Sequence, residues 1–301
     1  MRSIFFDVNE IGMDVNDSSC VVLGDCLSVL KKIKTNSVDL VFADPPYGIG
    51  KDFGVTKDTF TNINEYLDWC KQWIDECMRV LKTNGTMYFM SSTQYMPALD
   101  RYVDDRYYVI NRIVWIYDSS GVQSKSRFGS LYEPILMITH NKNTDFTFNH
   151  NDILVEAKTG AERKLIDYRK TPPQPYNTLK VPGNVWEFSR VRYKMDEYEN
   201  HPSQKPEALL ERVILASSNK GDIVLDPFSG TFTTSAVAVK LGRTAVGIDI
   251  NPDYYKVGLR RTGITSEYDG ELLCQDKSRK TKNKSKNDHF EESGQLAMSY
   301  M

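Results

Sequence analysis

The chain has 301 residues, 40% of them hydrophobic, so it is long enough for one large α/β domain with an insertion or for two domains. A formal net charge of −2 excludes an overall basic protein, and any contact with a polyanion has to come from a local group of charges. The five cysteines form no CxxC pair, which argues for reduced thiols and against structural zinc, and we predict no bound metal. No segment approaches the roughly 18 apolar residues of a membrane span, so we expect a cytoplasmic chain without a membrane segment.

The first regular elements predict a strand–helix–strand unit. The apolar run Cys20–Leu23 predicts a short buried strand, Cys26–Ile33 has apolar residues at helical spacing, and Val38–Ala43 predicts a second strand. Asp25 follows the first strand and Asp44 the second. Because parallel strands joined by a helix end at the same edge of a sheet, we expect both acids at that edge. A solvated turn aspartate is the alternative for Asp25.

The second strand stops at a rigid polar turn, Asp44-Pro45-Pro46-Tyr47. Two prolines fix φ and remove two backbone donors, so neither a strand nor a helix continues through them. Asp44 and the Pro45 carbonyl are both hydrogen-bond acceptors, which suits an exocyclic amino group with two protons, and Tyr47 offers a ring on which a planar base can stack. A Pro-Pro turn with a solvated aspartate is the alternative that the turn by itself leaves open.

The middle of the chain predicts a core helix and further strands. One apolar face runs through Glu65–Leu81, which predicts a long amphipathic helix, and Asn84-Gly85 is expected to end it. Strands are also predicted over 86–90, 107–117 and 134–139, and a helix over 96–105.

Residues 141–200 differ in composition from the rest and suggest contact with a nucleic acid. From Ser119 to Lys194 there are twelve lysines and arginines against seven aspartates and glutamates, in a chain that is negative overall. Basic side chains neutralise phosphates and contact base edges, and here they alternate with aromatic residues. The candidate DNA contacts are Lys125, Arg127, Arg169, Lys170, Arg190 and Arg192. A polar insertion with a solvated basic face is the competing interpretation.

The last third predicts a second unit, of the kind that holds a mononucleotide. It starts with His201–Pro206 (HPSQKP), and a later strand leads into Asp226 and the turn PFSGT. Helices are predicted over 208–217, 233–241 and 251–261, and strands over 222–225 and 244–250. Asp249 lies near the end of the last strand, 19 residues after Gly230, where an acid can accept hydrogen bonds from ribose hydroxyls. The turn lacks the G-x-G-x-x-G pattern of a dinucleotide site, so we expect room for one adenosine.

Three segments together, DPPYGIG, HPSQKP and DPFSGTFTT followed by GIDI, resemble the β-group of S-adenosylmethionine-dependent amino-DNA methyltransferases. In that group the catalytic motif comes first, the target-recognition region second and the cofactor motif last, which is the order found here. The resemblance runs from about Cys20 to Arg261. It implies an α/β fold with a Rossmann-like class I methyltransferase sheet, mixed but mostly parallel, in permuted order and with an inserted DNA target-recognition region.

The resemblance also divides the chain into parts. Residues 19–140 are the catalytic half with the DPPY motif, residues 141–200 the target-recognition insertion, and residues 201–265 the cofactor-binding half. Residues 270–301 form a basic tail that is expected to be disordered, since six of the ten residues Lys277–Lys286 are basic and none is acidic.

Roles for individual residues follow from the matching positions. The residues implied to hold the target base are Asp44, Pro45, Pro46 and Tyr47. The residues implied to bind the cofactor are Asp25, Asp44, His201, Ser203, Lys205, Asp226, Phe228, Ser229, Gly230, Thr231 and Asp249. Among these, Asp249 is implied to bind the ribose and Asp25 the adenine amino group of the cofactor. Phe232 stands where the family has a second glycine, which bears on the shape of the cofactor turn.

The implied reaction is methyl transfer to adenine N6 in double-stranded DNA. Segments of the recognition region such as LIDYRK and KVPGNVWEF resemble an orphan adenine methyltransferase of this group, which implies the target ATGCAT. Asp44 and the Pro45 carbonyl would draw the amino group towards tetrahedral geometry, so that its nitrogen attacks the methyl group directly and in line. The base has to leave the duplex, and base flipping with stacking on Tyr47 follows. An N4-cytosine methyltransferase and a DNA-binding protein without turnover are the alternatives, and a homodimer stays open.

Overall fold

A computed structural model describes residues 4, 12–48, 50, 60–118, 125–126 and 128–265, and within these residues one nine-stranded sheet organises the chain. The strands of the described residues are β1 (Met13–Val15), β2 (Ser19–Leu23), β3 (Val38–Ala43), β4 (Leu81–Met90), β5 (Tyr108–Ile116), β6 (Tyr132–Thr139), β7 (Val155–Glu156), β8 (Ile166–Asp167), β9 (Gln174–Pro175), β10 (Leu179–Lys180), β11 (Val185–Glu187), β12 (Ile223–Asp226) and β13 (Thr244–Asp249). The α-helices of the same residues are α1 (Cys26–Leu30), α2 (Ile63–Val80), α3 (Met96–Asp104), α4 (Glu207–Ser217), α5 (Thr233–Lys240) and α6 (Pro252–Arg261).

In space the order of the large sheet is β1-β2-β13-β12-β3-β4-β6-β5-β11. Strands β2, β13, β12, β3 and β4 are parallel neighbours, whereas β1 and β6 run in the opposite direction. Strand β5 is antiparallel to β6, and β11 lies parallel to β5 at the far edge. The predicted mixed, mostly parallel α/β sheet is therefore confirmed. The permuted order of its motifs and the division of the chain into four parts stay predictions.

The central strand β3 explains why helices cover both faces of the sheet. Val41 and Ala43 pack with side chains of α1, α2 and α3 on one face, and Leu40 and Phe42 pack with α4 and α5 on the other. A strand directs successive side chains to opposite faces, and both faces are covered by helices, so all four side chains are buried. The apolar run thus forms a strand that is buried on both sides, and its polar continuation is left at the edge of the sheet.

The long helix predicted over Glu65–Leu81 forms α2, but its predicted end is wrong. Leu81 is already extended, with ψ of 135°, and begins β4, so the chain passes from helix to strand without an Asn84-Gly85 cap. Gly85 lies inside β4, where a Cβ atom would come within 2.8 Å of the Asp39 carbonyl oxygen. This glycine therefore allows close packing against the neighbouring strand and does not terminate the helix.

Residues 141–200 contain short elements, and one of them joins the large sheet. Strand β11 pairs with β5 and buries Trp186. Strands β7 to β10 form two separate two-stranded pairs. Tyr168 and Tyr193 in this segment are 78% and 72% exposed, which leaves aromatic rings available on its surface.

Two further expectations concern membranes and the tail. Among the described residues, no helix combines the length and the apolar character needed to pass through a bilayer. The predicted basic tail at 270–301 lies outside the described residues.

Candidate active site

A cavity of about 310 Å³ lies at the carboxyl edge of the parallel strands. Strands β2, β3, β12 and β13 end at or within two residues of four acids that all line this cavity, namely Asp25, Asp44, Asp226 and Asp249. Strands β12 and β3 are neighbours, but the chain continues from β12 to β13 on one side and from β3 to β4 on the other, so the two connections leave in opposite directions. Such a switch point opens a crevice at the sheet edge, which is where open α/β folds bind ligands.

The turn Asp44-Pro45-Pro46-Tyr47 brings an acid and an aromatic ring into this cavity. The Tyr47 hydroxyl donates to Asp44 Oδ1 at 2.8 Å, so the turn folds back on itself. The Tyr66 hydroxyl of α2 donates to the Pro46 carbonyl at 3.3 Å. The turn is therefore held both by its own side chains and by the neighbouring helix.

Asp44 shares the cavity with a buried lysine. Lys205 Nζ donates to Asp44 Oδ2 at 2.5 Å and to the Ser203 carbonyl at 3.2 Å. Burial raises the pKa of Asp44, the positive charge of Lys205 counteracts that rise, and the negative charge of Glu133 adds to it. Burial lowers the pKa of Lys205, but the charges of Asp44 and Glu133 outweigh burial, so the net shift is upwards. Each charge of the pair therefore depends on the presence of the other.

The turn that follows β12 is held by two carboxylates. Asp249 accepts a hydrogen bond from the Gly230 backbone N–H at 2.8 Å. Asp226 accepts one from the Phe228 N–H at 3.0 Å and one from the Thr234 hydroxyl at 2.6 Å. Burial raises the pKa of Asp249 to about 6 and the pKa of Asp226 to about 7, against the hydrogen bonds that each accepts. The turn is thus ordered by groups whose charge changes near neutral pH.

Gly230 and Phe232 both have left-handed backbone conformations in this turn, with φ of 50° and 56°. At Gly230 a Cβ atom would lie 3.1 Å from His201 Nε2, so glycine lets the imidazole approach the turn. The Phe232 side chain is fully buried, and its ring fills space beside Gly247 and Gly258. The residue that replaces the family's second glycine is therefore accommodated by two glycines elsewhere in the chain.

The predicted site residues are brought together. Those that line the cavity are Asp25, Asp44, Pro45, Pro46, Tyr47, His201, Ser203, Lys205, Asp226, Phe228, Ser229, Gly230, Thr231 and Asp249. Asp25 also caps α1 by accepting a hydrogen bond from the Ser28 N–H at 2.9 Å. The same residue therefore stabilises the local turn and lines the cavity. The individual roles of these residues stay predictions.

Glu133 on β6 is a site residue that the sequence did not indicate. Its Oε2 atom lies 3.0 Å from the Tyr47 hydroxyl oxygen and 3.6 Å from Lys205 Nζ. The only local signal is an acid at the start of an apolar strand, which is also typical of a solvated strand end. Its position beside Asp44 results from the pairing of β4 with β6.

Phe228, a predicted cofactor residue, belongs to an aromatic wall of the cavity whose other members the sequence did not indicate. Phe60, Trp69 and Phe228 line it together, and the Trp69 and Phe228 ring centroids are 5.6 Å apart. Tyr254 of α6 packs edge-on against His201, with ring centroids 4.7 Å apart. These residues lie on separate elements, so no local pattern in the sequence connects them.

The predicted DNA contacts lie in different surroundings. Arg190 lies over the Tyr117 ring, with its guanidinium carbon 4.9 Å from the ring centroid. Arg169 is held by Asp167, with Nε 2.9 Å from Oδ1. The exposed candidates are Lys125, Arg169, Lys170 and Arg192. Arg127 lies outside the described residues.

Comparison with known proteins gives one family and a near relative. The model of a family described as DNA methylase matches residues 38–260. The DNA adenine methyltransferase YhdJ of Escherichia coli (strain K12) is 57% identical over 277 residues, which cover 92% of this chain and 94% of YhdJ. The resemblance predicted from the sequence motifs is confirmed by these matches.

Two solved structures have the same fold. The PvuII DNA methyltransferase (cytosine-N4-specific) superposes with a TM-score of 0.63 at 18% identity, covering 84% of this chain and 90% of that one. The M1.HpyAVI–SAM complex superposes with a TM-score of 0.53 at 22% identity, covering 79% and 97%. The expected methyltransferase sheet is thereby confirmed.

Proposed function

Because the chain belongs to the DNA methylase family, we propose that it transfers a methyl group from S-adenosylmethionine to the N6 amino group of adenine in double-stranded DNA. One observation carries this proposal. Asp44 and Tyr47 share a single cavity with the turn that joins Asp226 to Gly230 and with Asp249. An acceptor for a substrate amino group and a turn suited to bind a nucleoside thus line the same cavity.

The residues around the cavity fit S-adenosylmethionine. A volume of about 310 Å³ lies within the range of small-molecule pockets. Asp249 offers carboxylate oxygens suited to ribose hydroxyls, and Asp25 offers an acceptor suited to the adenine amino group. The rings of Trp69 and Phe228 suit a planar base or a cationic sulfonium. When bound there, S-adenosylmethionine supplies the methyl group.

Asp44 and the Pro45 carbonyl prepare the amino group for reaction. The N6 lone pair of adenine is delocalised into the ring, so the nitrogen is a poor nucleophile. Two acceptors draw its two protons and favour a tetrahedral nitrogen with a localised lone pair. Asp44 has to be ionised for this purpose, and Lys205 at 2.5 Å favours that state against the effect of burial. Positioning and electrostatics are sufficient for direct in-line transfer, and no covalent enzyme intermediate is needed.

The adenine has to leave the duplex, because its N6 atom is not accessible to this cavity inside the base stack. We propose that it stacks on Tyr47 and that residues 141–200, between a catalytic half at 19–140 and a cofactor half at 201–265, recognise the target. The likeness of the recognition segments favours ATGCAT as that target. A cytoplasmic location and a homodimer are consistent with the family and are likewise proposals.

N4 methylation of cytosine is the second candidate function. The PvuII structure described above, which has this fold, is named as cytosine-N4-specific. The exocyclic amino group of cytosine presents the same delocalised lone pair, and Asp44 with the Pro45 carbonyl would bind it in the same way. The identity of the methylated base separates the two candidates.

The deciding experiment measures transfer of labelled methyl from S-adenosylmethionine to duplexes that contain ATGCAT or its single-base variants, followed by nucleoside analysis. N6-methyladenine in ATGCAT alone is the expected product. D44A is expected to lose transfer and to keep DNA binding, because the acceptor is removed while the basic surface is unchanged. D68A, at an exposed aspartate paired with Lys71 on α2, is the matched control and should behave like the wild type. N4-methylcytosine, or full activity of D44A, would contradict the proposal.

A further inference from the structure

Both oxygens of the Asp44 carboxylate already have a partner within the protein. The Tyr47 hydroxyl donates to Oδ1 at 2.8 Å, and Lys205 Nζ donates to Oδ2 at 2.5 Å. The proposed function relies on the same carboxylate to accept a hydrogen bond from a substrate amino group. Each oxygen can accept one more hydrogen bond, so an arriving amino group shares the carboxylate with Tyr47 and Lys205, and it displaces one of them where it takes the direction that this partner occupies.

A second carboxylate lies within reach of both partners. Glu133 Oε2 is 3.0 Å from the Tyr47 hydroxyl oxygen and 3.6 Å from Lys205 Nζ. A phenol carries a single proton, so Tyr47 cannot donate fully to Asp44 and Glu133 at once. Rotation of its O–H bond exchanges one acceptor for the other without movement of the ring. A shift of a few tenths of an ångström, roughly, brings Nζ into hydrogen-bond distance of Glu133.

Glu133 is itself held by the strand pair on which it lies. Its side chain is 17% exposed, and its backbone is paired with Trp115 on β5. Tyr117 interacts with it electrostatically: burial and then the negative charge of Glu133 raise the pKa of the Tyr117 phenol. Arg190, one of the predicted DNA contacts, covers the Tyr117 ring. Glu133 therefore interacts both with Tyr47, the partner of Asp44, and with Tyr117, whose ring Arg190 covers.

We propose that Glu133 is a positioning residue that takes over the Tyr47 hydroxyl and the Lys205 ammonium when a substrate amino group binds Asp44. The inference rests on the proposed function, because the amino group is that of the target base. Without Glu133, displacement of Tyr47 and Lys205 would leave a buried hydroxyl without an acceptor and a buried ammonium with only the neutral Ser203 carbonyl, which is costly. The benefit arises only when the base is in its reactive position, so it belongs to kcat and not to cofactor binding.

The charge of Glu133 is also expected to affect how kcat depends on pH. The titratable and charged groups around the Asp44–Lys205 pair are Tyr47, Tyr117, Glu133, Asp226 and Arg190. Glu133 is a like charge for Asp44 and raises the pKa of Asp44. Glutamine at this position removes the repulsion, so the pKa of Asp44 falls. Since the reaction needs ionised Asp44, the acidic limb of the kcat profile then moves to lower pH.

The test compares E133A and E133Q with the wild-type protein in the methyl-transfer assay, at saturating S-adenosylmethionine and over a range of pH. We expect kcat of E133A to fall by about 100-fold, the effect typical of a misplaced reacting group. E133Q should lose less, because its amide oxygen still accepts a hydrogen bond, and its acidic limb should lie at lower pH than that of the wild type. Affinity for S-adenosylmethionine, measured by calorimetry, should not change.

The matched control is E76Q. Glu76 is also a partly buried glutamate, 24% exposed, and is paired with Arg79 on α2 away from the cavity. Its kcat and pH profile should equal those of the wild type. If E133A fails to fold, as judged by circular dichroism, the pH profile of E133Q decides.

The outcomes separate this inference from the proposed function. A wild-type kcat in E133A, or an acidic limb of E133Q at the wild-type position, overturns the role of Glu133 while the methyltransferase proposal stands. Weakened S-adenosylmethionine binding by folded E133Q also overturns it, because Glu133 would then shape the cofactor site. No methyl transfer to DNA by the wild-type protein would overturn both.

Discussion

Phe232 and Gly258 are in direct contact: a Cβ atom built on Gly258 would lie 2.7 Å from the Phe232 ring. Phe232 is fully buried and has a φ of 56°, a backbone conformation that favours glycine. The ring is thus packed tightly against α6 at the end of the cofactor turn. The strain of its backbone is offset by packing in a space that Gly258 in α6 and Gly247 in β13 leave open.

We expect G258A to lower the free energy of unfolding by about 1–3 kcal/mol, the usual cost of overpacking a core. In an F232G background the same change should be stabilising, by up to about 1 kcal/mol, because the ring is gone and alanine favours a helix. Urea denaturation of the four proteins of this double-mutant cycle measures the coupling. Equal effects of G258A in both backgrounds would show that the ring and the glycine are independent.

The second prediction concerns Asp226, whose pKa burial raises to about 7. Its charged form is favoured by a cationic ligand, so S-adenosylmethionine should bind more tightly as the pH rises through about 7, with release of a proton. Calorimetry in two buffers of different ionisation enthalpy counts that proton. D226N should flatten the pH dependence near 7, while the contribution of Asp249, whose pKa is raised to about 6, remains.

The same carboxyl affects stability in the absence of cofactor. Because the pKa of Asp226 is higher in the folded than in the unfolded chain, its contribution to stability is fully present below the unfolded pKa of ~4. That contribution is lost as the pH rises through about 7. The difference in unfolding free energy between wild type and D226N should therefore change over this window. A difference that does not vary with pH would contradict the raised pKa.

The third prediction concerns Lys205. Its ammonium group opposes the rise that burial causes in the pKa of Asp44. In K205M the pKa of Asp44 should therefore rise further, and the acidic limb of the activity profile should move to higher pH, opposite to the shift expected for E133Q. We also expect kcat to fall by about 100-fold or more, as when a preorganised charge is removed. A pH profile like that of the wild type would show that Lys205 acts by packing alone.

The fourth prediction separates two DNA-contact candidates. Asp167 already holds the Arg169 guanidinium at 2.9 Å, whereas the Arg190 guanidinium lies over the Tyr117 ring. R190A should weaken DNA binding for all sequences and reduce the salt dependence of the affinity by about one phosphate contact. R169A should have a smaller effect. Fluorescence anisotropy at several salt concentrations measures both, and a larger loss for R169A would reverse the assignment.

Several features of this protein were determined by the sequence alone, because they depend on short-range chemistry. Prolines after Asp44 stop a strand wherever that strand lies, and an apolar run with period two or 3.6 forms the same element in any context that buries it. The carboxyl ends of parallel strands share one edge, so Asp25 and Asp44 were expected to meet there, and the family resemblance added Asp226 and Asp249 to the same site. All four line the cavity.

The tertiary structure alone decided which distant side chains meet inside that cavity. Lys205 contacts Asp44 across 161 positions, and Glu133 reaches Tyr47 across 86. These contacts follow from the spatial order of β3, β4 and β6, and strand order depends on the packing of whole faces and not on any local spacing. The fit of Phe232 against Gly258 has the same origin, because the space that the ring fills exists only once α6 packs against the turn.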